Sequence, residues 1–258
     1  MDNNKIMPVI FCGHGSPMNA IGANRARTGW KEMGRTIGKP DVIIAVSAHW
    51  ATQGLFVRTA ADNRQIYDMY GFPKELYEVH YEPAGSPSYA DRVLELLRGM
   101  AKENNEWGID HGVWSVLSNM YPQADIPVVM ISTDATADAN AQVEVGKRLT
   151  ALRNEGALIL ASGNVVHNLR LTNWDMDDGY DWADKFDETV KTAILAGTFD
   201  IPVAYEKIPD HLKAIPTVEH YFPLLTALGA ADKNDRVAVW NEYRELGAMS
   251  MTSYLFEA

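Results

Sequence analysis

Hydrophobic positions along this chain gather into short unbroken runs rather than alternating with polar ones. Three runs carry the pattern: Pro8 to Met18 (PVIFCGHGSPM), Val42–Trp50 (VIIAVSAHW) and Ala157–Asn168 (ALILASGNVVHN). An apolar run of this length, bounded by Gly or Pro, reads as a strand buried on both faces. Each run delivers a histidine: His14, His49 and His167. In open α/β sheets the carboxyl edge of the strands is where sites collect.

Between the runs the spacing of apolar residues turns helical. Trp30–Gly38 predicts a short helix after a loop in which Gly22 and Gly29 act as breakers. Ser86-Pro87 opens a helix whose stripe is Val93, Leu94, Leu97 and Met100. A short helix is expected at Val113–Tyr121, and longer ones at Asp138–Asn154, closed by Gly156, and at Tyr180–Ala196. Pro216-Thr217 reads as the start of a helix with His220 in its first turn. Leu55–Thr59 and Ile126–Ser132 add strands, and Val237–Trp240 and Met251–Leu255 finish the chain as strands. The last two follow the final long helix, which predicts a mixed rather than purely parallel sheet. The fold class is α/β, and with no repeat or linker the chain reads as one domain, residues 1–258. Arg64 to Gly85 is a long connection rich in tyrosine and phenylalanine, read either as a wall over a flat ligand or as a loop packed on the core.

Composition narrows the function. The formal net charge is −11 with no basic cluster, which argues against a nucleic-acid partner. Cys12 is the only cysteine, so an internal disulfide and a multi-cysteine zinc site are excluded. No apolar run approaches the ~18 residues of a membrane span. The opening MDNNKIMP has no signal-peptide pattern, so a cytoplasmic protein without membrane contact is expected.

Seven histidines remain to be explained, and position separates them. His14, His49 and His167 follow buried-looking strands among small residues that let a metal or substrate approach the backbone. His111 lies in DHGVW at a glycine turn. His80 sits in the aromatic stretch, and His211 reads as solvated. Several neutral imidazoles without a thiolate suit zinc, iron, copper or nickel better than calcium or magnesium. HExxH, GxGxxG, the phosphate-binding loop and the GxSxG elbow are all absent.

Taken together, GHGSPM, SAHW, DHGVW, SGNVVHNLR and PTVEHYFPLL resemble the class III extradiol ring-cleavage dioxygenases, in particular the DOPA 4,5-dioxygenase branch. The resemblance covers essentially the whole chain. It implies a three-layer α/β/α domain with a central, mostly parallel sheet. It implies an enzyme that opens a catechol beside a hydroxyl with dioxygen and a divalent metal, Fe(II) for activity or Zn(II). Carried over by motif, the metal ligands are His14, His49 and His220, with His167 either a fourth ligand or the acid/base. His111 would contact dioxygen or substrate. Three histidines depart from the two-histidine, one-carboxylate set of many Fe(II) oxygenases, and such a pocket also holds zinc well. Two other readings stand beside this one: a zinc hydrolase using the same pocket, with His167 or Glu219 as base, and a metal-storage protein. A monomer or small homo-oligomer is expected.

Overall fold

The computed structural model describes residues 6–258. Its centre is an eight-stranded mixed sheet. In chain order the strands and helices begin β1 (Val9–Gly13), α1 (Arg25–Ile37), β2 (Val42–Thr52), β3 (Leu55–Val57), α2 (Pro87–Leu96), β4 (Ala101–Glu103) and α3 (His111–Met120). They continue β5 (Val128–Asp134), α4 (Ala139–Leu149), β6 (Ala157–Gly163), α5 (Asp181–Leu195), α6 (Asp200–Val203), α7 (His211–Ala214) and α8 (Phe222–Ala230). The chain closes with β7 (Arg236–Trp240), β8 (Arg244–Glu245), β9 (Met249–Ser250) and β10 (Ser253–Glu257). The order across the sheet is β4-β3-β5-β2-β6-β1-β10-β7, while β8 and β9 form a separate hairpin.

The four central strands, β5-β2-β6-β1, run parallel; β10 pairs antiparallel with β1, and β7, antiparallel to β10, extends that side. Their unbroken apolar sequences follow from burial on both faces. Val9 and Phe11 of β1 join one core layer with Val46, Ile159, Val145 and Leu224. Ile10 and Cys12 join the other with Ile43, Leu160, Trp30 and Trp114. α4, α5 and α8 cover the first face, and α1 and α3 the second, giving the three layers expected.

Several boundaries differ from the sequence reading, each for a local reason. α1 begins at Arg25 because Asn24 caps it, accepting the Arg27 N–H at 2.8 Å; Gly29 lies inside the helix rather than breaking it. β4 is a three-residue pairing with β3 that a polar AKE segment does not announce. His220 sits in a turn before α8, not in the first turn of a helix opened by Pro216-Thr217 as the sequence predicts. Its carbonyl accepts the Asn164 N–H at 2.8 Å, while the Leu224 N–H turns to Tyr221 instead. The proline of the first helical turn is Pro223.

Candidate metal and substrate site

Parallel strands put their carboxyl ends at one edge, and this places the histidines. β1 and β2 both flank β6, so the chain leaving β1 at His14 and the one leaving β6 toward His167 emerge side by side, next to His49. His49 lies within β2, where the register against β5 shifts between Val46 and Ala51. Such an irregularity re-aims side chains next to sites. His111 opens α3. His220 is drawn in by its carbonyl, which packs so closely on β6 that a Cβ at Gly163 would lie 2.2 Å from it. Only glycine admits that approach.

One nitrogen from each of His14, His49 and His220 lies within 4.8 Å of the others. His14 and His49 present their Nε2 atoms to each other at 2.9 Å. His220 Nε2 is buried and has no hydrogen-bond partner among the described residues. The opposite nitrogens are held. Ser162 Oγ donates to the Gly112 carbonyl at 2.5 Å and so accepts from His14 Nδ1–H at 2.9 Å. His220 Nδ1–H donates to Glu219 Oε1 at 3.2 Å. Asp68 Oδ2 accepts from His111 Nδ1–H at 2.9 Å and lies 3.5 Å from His49 Nδ1.

These bonds assign His14 and His220 the tautomer with a bare Nε2 lone pair. An unpartnered buried Nε2 beside two nitrogens in contact is costly without something between them. A divalent cation answers all three atoms, since two nitrogens about 2.1 Å from one ion at a right angle stand about 3 Å apart. The donor set therefore fits a metal, and its outer partners are those that orient metal-binding imidazoles. Burial first, and then the neighbouring imidazoles, push His14, His49 and His167 well below the ordinary histidine range. Burial lowers His220 too, against the opposing pull of Glu219. All four favour the neutral form that binds metal or takes a proton.

His167 takes a different place. Its ring stacks on His220 with centroids 3.6 Å apart and planes 5° apart. It is outside the three-nitrogen group and lines the cavity beside it. A second group, His49, Asp68 and His111, adjoins the first, with the His49 and His111 rings 3.8 Å apart. Neither His80 nor His211 lines the cavity.

The histidines open on a cavity of about 610 Å³ whose other walls include Met69, Tyr70, Phe72, Leu169, Trp174, Leu246 and Met249. The aromatic connection thus supplies one wall through Met69, Tyr70 and Phe72. Its remaining tyrosines pack inward: Tyr81 is buried, and the Tyr67 hydroxyl donates to the Val79 carbonyl at 2.8 Å. Sequence reasoning missed Asp68 and Ser162. Ser162 stands in the SGN segment on β6, in register with Cys12 of β1 and Ser47 of β2.

Comparison with known proteins agrees with the geometry. The family described as the catalytic LigB subunit of aromatic ring-opening dioxygenase matches residues 9–257. The chain is 43% identical to the 4,5-DOPA dioxygenase extradiol of Escherichia coli K12, over 96% of this chain and 93% of that protein. It is 36% identical to the protein of the same name from Beta vulgaris, covering 98% and 97% of the two chains. A crystal structure of an uncharacterized Escherichia coli K12 protein superposes with a TM-score of 0.84 at 40% identity, covering 96% of this chain and 99% of that one.

Proposed function

This chain belongs to the family of aromatic ring-opening dioxygenases, and from that premise we propose that it opens a DOPA-like catechol by extradiol 4,5-cleavage with dioxygen. The whole described chain acts as one catalytic domain in this reading, since the family match runs from residue 9 to 257. The zinc-hydrolase alternative finds no support in the family or in the relatives.

The observation that carries the proposal is the unpartnered, buried Nε2 of His220 beside the facing nitrogens of His14 and His49. These three histidines would hold one divalent ion, Fe(II) in the active enzyme. Bound there, Fe(II) supplies the electron transfer that lets dioxygen react with an aromatic ring.

The protein does the rest. The cavity wall of Met69, Phe72, Leu246 and Met249 holds a flat ring against the histidines and sheds water from it. His167, kept neutral by burial and lining the cavity, takes a phenolic proton as the catechol binds, then returns it to the product. Stacking on His220 fixes the plane in which it acts. His111, its Nδ1–H held by Asp68, offers Nε2 as an acceptor toward substrate or dioxygen. No described helix is long and apolar enough to cross a membrane. The single buried thiol supports a reducing, cytoplasmic setting.

The test is oxygen consumption by protein loaded anaerobically with Fe(II), against the same protein loaded with Zn(II), across a panel of catechols. Uptake with iron alone supports the reading. Hydrolytic turnover by the zinc form without uptake would sink it.

A further inference from the structure

Two short strands outside the main sheet carry part of the cavity. β8 and β9 pair as a hairpin, Arg244 with Ser250 and Glu245 with Met249. Leu246, between the strands, and Met249 both line the cavity. β9 also runs antiparallel to the segment that presents His167, with Met249 bridging His167 itself. The Ser250 N–H donates to the Val166 carbonyl at 2.9 Å, and the Asn168 N–H donates to the Ala248 carbonyl at 3.0 Å. The Ser250 carbonyl accepts from Asn164 Nδ2 at 2.7 Å. The backbone on both sides of His167 is therefore registered against β9. A two-residue hairpin is too short to hold itself in place.

What holds it is a buried acid on α5. Asp187 is fully buried and accepts from Ser250 Oγ at 2.6 Å, from Thr252 Oγ1 at 2.8 Å and from Arg244 Nη1 at 2.9 Å. Arg244 also uses its Nε, on Asp184 one helical turn earlier, at 2.6 Å. Both strands of the hairpin thus meet at one carboxylate, Arg244 from β8 and Ser250 from β9. Burial raises the Asp187 carboxyl, and the hydroxyls of Ser250 and Thr252 and the Arg244 cation oppose that rise. Without Arg244 the buried charge has lost its counter-ion, and the hairpin its tie to α5. Neither Arg244 nor Asp187 lines the cavity or belongs to the three-histidine group.

We propose that Arg244 and Asp187 are positioning residues for His167: through the β8–β9 hairpin they fix the backbone that sets how far its ring reaches toward the substrate. This rests on the ring-cleavage reading, in which His167 is the acid/base. Proton transfer needs the two heavy atoms within about 2.6–3.2 Å of each other. A misplacement of about 1 Å can cost about 10²-fold in rate. Stacking on His220 sets the plane of the His167 ring but leaves it free to slide within that plane. The bonds from Ser250 and Ala248 to the flanking residues remove that freedom, and they last only while α5 holds the hairpin.

The experiment makes Arg244→Met in the Fe(II)-loaded protein, alone and together with His167→Gln. Hydrogen exchange of the Asn168 and Ser250 amides, read by mass spectrometry, should quicken at least about tenfold in Arg244→Met. With a catechol and oxygen, kcat per bound iron should fall at least about tenfold, and that loss should vanish in the His167→Gln background, because the two residues act as one unit. A merely structural residue would lower the folded fraction and leave kcat per bound iron unchanged. Arg244→Lys, which keeps the charge, should recover most of both readouts. Asp184→Asn loosens Arg244 without stranding a buried charge, and it repeats the test with a smaller effect of the same pattern, should Arg244→Met fold poorly. Unchanged exchange and unchanged kcat overturn the proposal. A loss of kcat that persists in full beside His167→Gln overturns it as well, since Arg244 would then act elsewhere. Quickened exchange in a protein whose parent takes up no oxygen would support the hold on His167 while removing the ring-cleavage reading. Unchanged exchange with oxygen uptake intact would do the reverse.

Discussion

Replacing Ser162 by alanine tests how the site is held together. The Ser162 hydroxyl is fully buried and makes two bonds, to His14 Nδ1 at 2.9 Å and to the Gly112 carbonyl at 2.5 Å. Alanine leaves a buried ring N–H and a buried carbonyl without that partner. Each such group costs about 1–3 kcal/mol. Relaxation recovers part of this, so the metal-free variant should lose about 2–4 kcal/mol of folding stability, read from urea denaturation. The second effect is on the metal. Without the serine, His14 no longer has its tautomer and ring plane set from outside, and metal affinity should fall about 10–100-fold. Zinc competition against a chelating dye measures this directly. A variant as stable as the parent and with unchanged zinc affinity would refute the hydrogen-bond reasoning. Lost stability with unchanged affinity would confine Ser162 to packing.

Three further outcomes follow from the same geometry. His167→Gln should keep a full complement of iron and still bind catechol, while kcat falls by ~10²–10⁴; loss of iron would make His167 a ligand instead. Phe72→Ala should raise KM more than it lowers kcat, because it removes a cavity wall rather than a group that reacts; an unchanged KM would place the aromatic connection outside substrate binding. The metal-free protein should lose stability on acidification. His14, His49, His167 and His220 have folded pKa values below their unfolded value of about 6.5, so the unfolded chain binds more protons below that pH. Their contribution is complete above about 6.5 and is lost as pH falls toward the depressed folded values, by up to about 1.4 kcal/mol per pH unit for each group. Flat stability from pH 7 to 5 would contradict it.

Much of this site was legible because its histidines stand at the ends of apolar runs. His14 and His167 could be placed at one sheet edge from the runs alone, since buried parallel strands share a carboxyl end. His220 could not be placed that way. It came from the resemblance carried by PTVEHYFPLL, and the structure seats it in a turn held by a backbone bond from Asn164. Asp68 and Ser162 were out of reach for a different reason. Asp68 sits in an irregular stretch, and its partner His111 is 43 residues away; Ser162 and His14 are 148 residues apart. Contacts over such separations depend on tertiary approach, which no local pattern encodes. Leu246 on the cavity wall holds φ of 54°, and that turn was silent as well, because leucine is not a residue that advertises a left-handed backbone.

The central claim, that three histidines hold a metal which puts dioxygen into a catechol ring, is tested most directly with labelled oxygen. Protein loaded with Fe(II) is mixed with one turnover of catechol under ¹⁸O₂, and the product is weighed by mass spectrometry. The account predicts a ring-opened product carrying both labelled atoms, formed in proportion to bound iron and absent in His14→Ala, which should also lose its metal. An unlabelled product, or labelled product formed at full rate by a variant without His14, would contradict it.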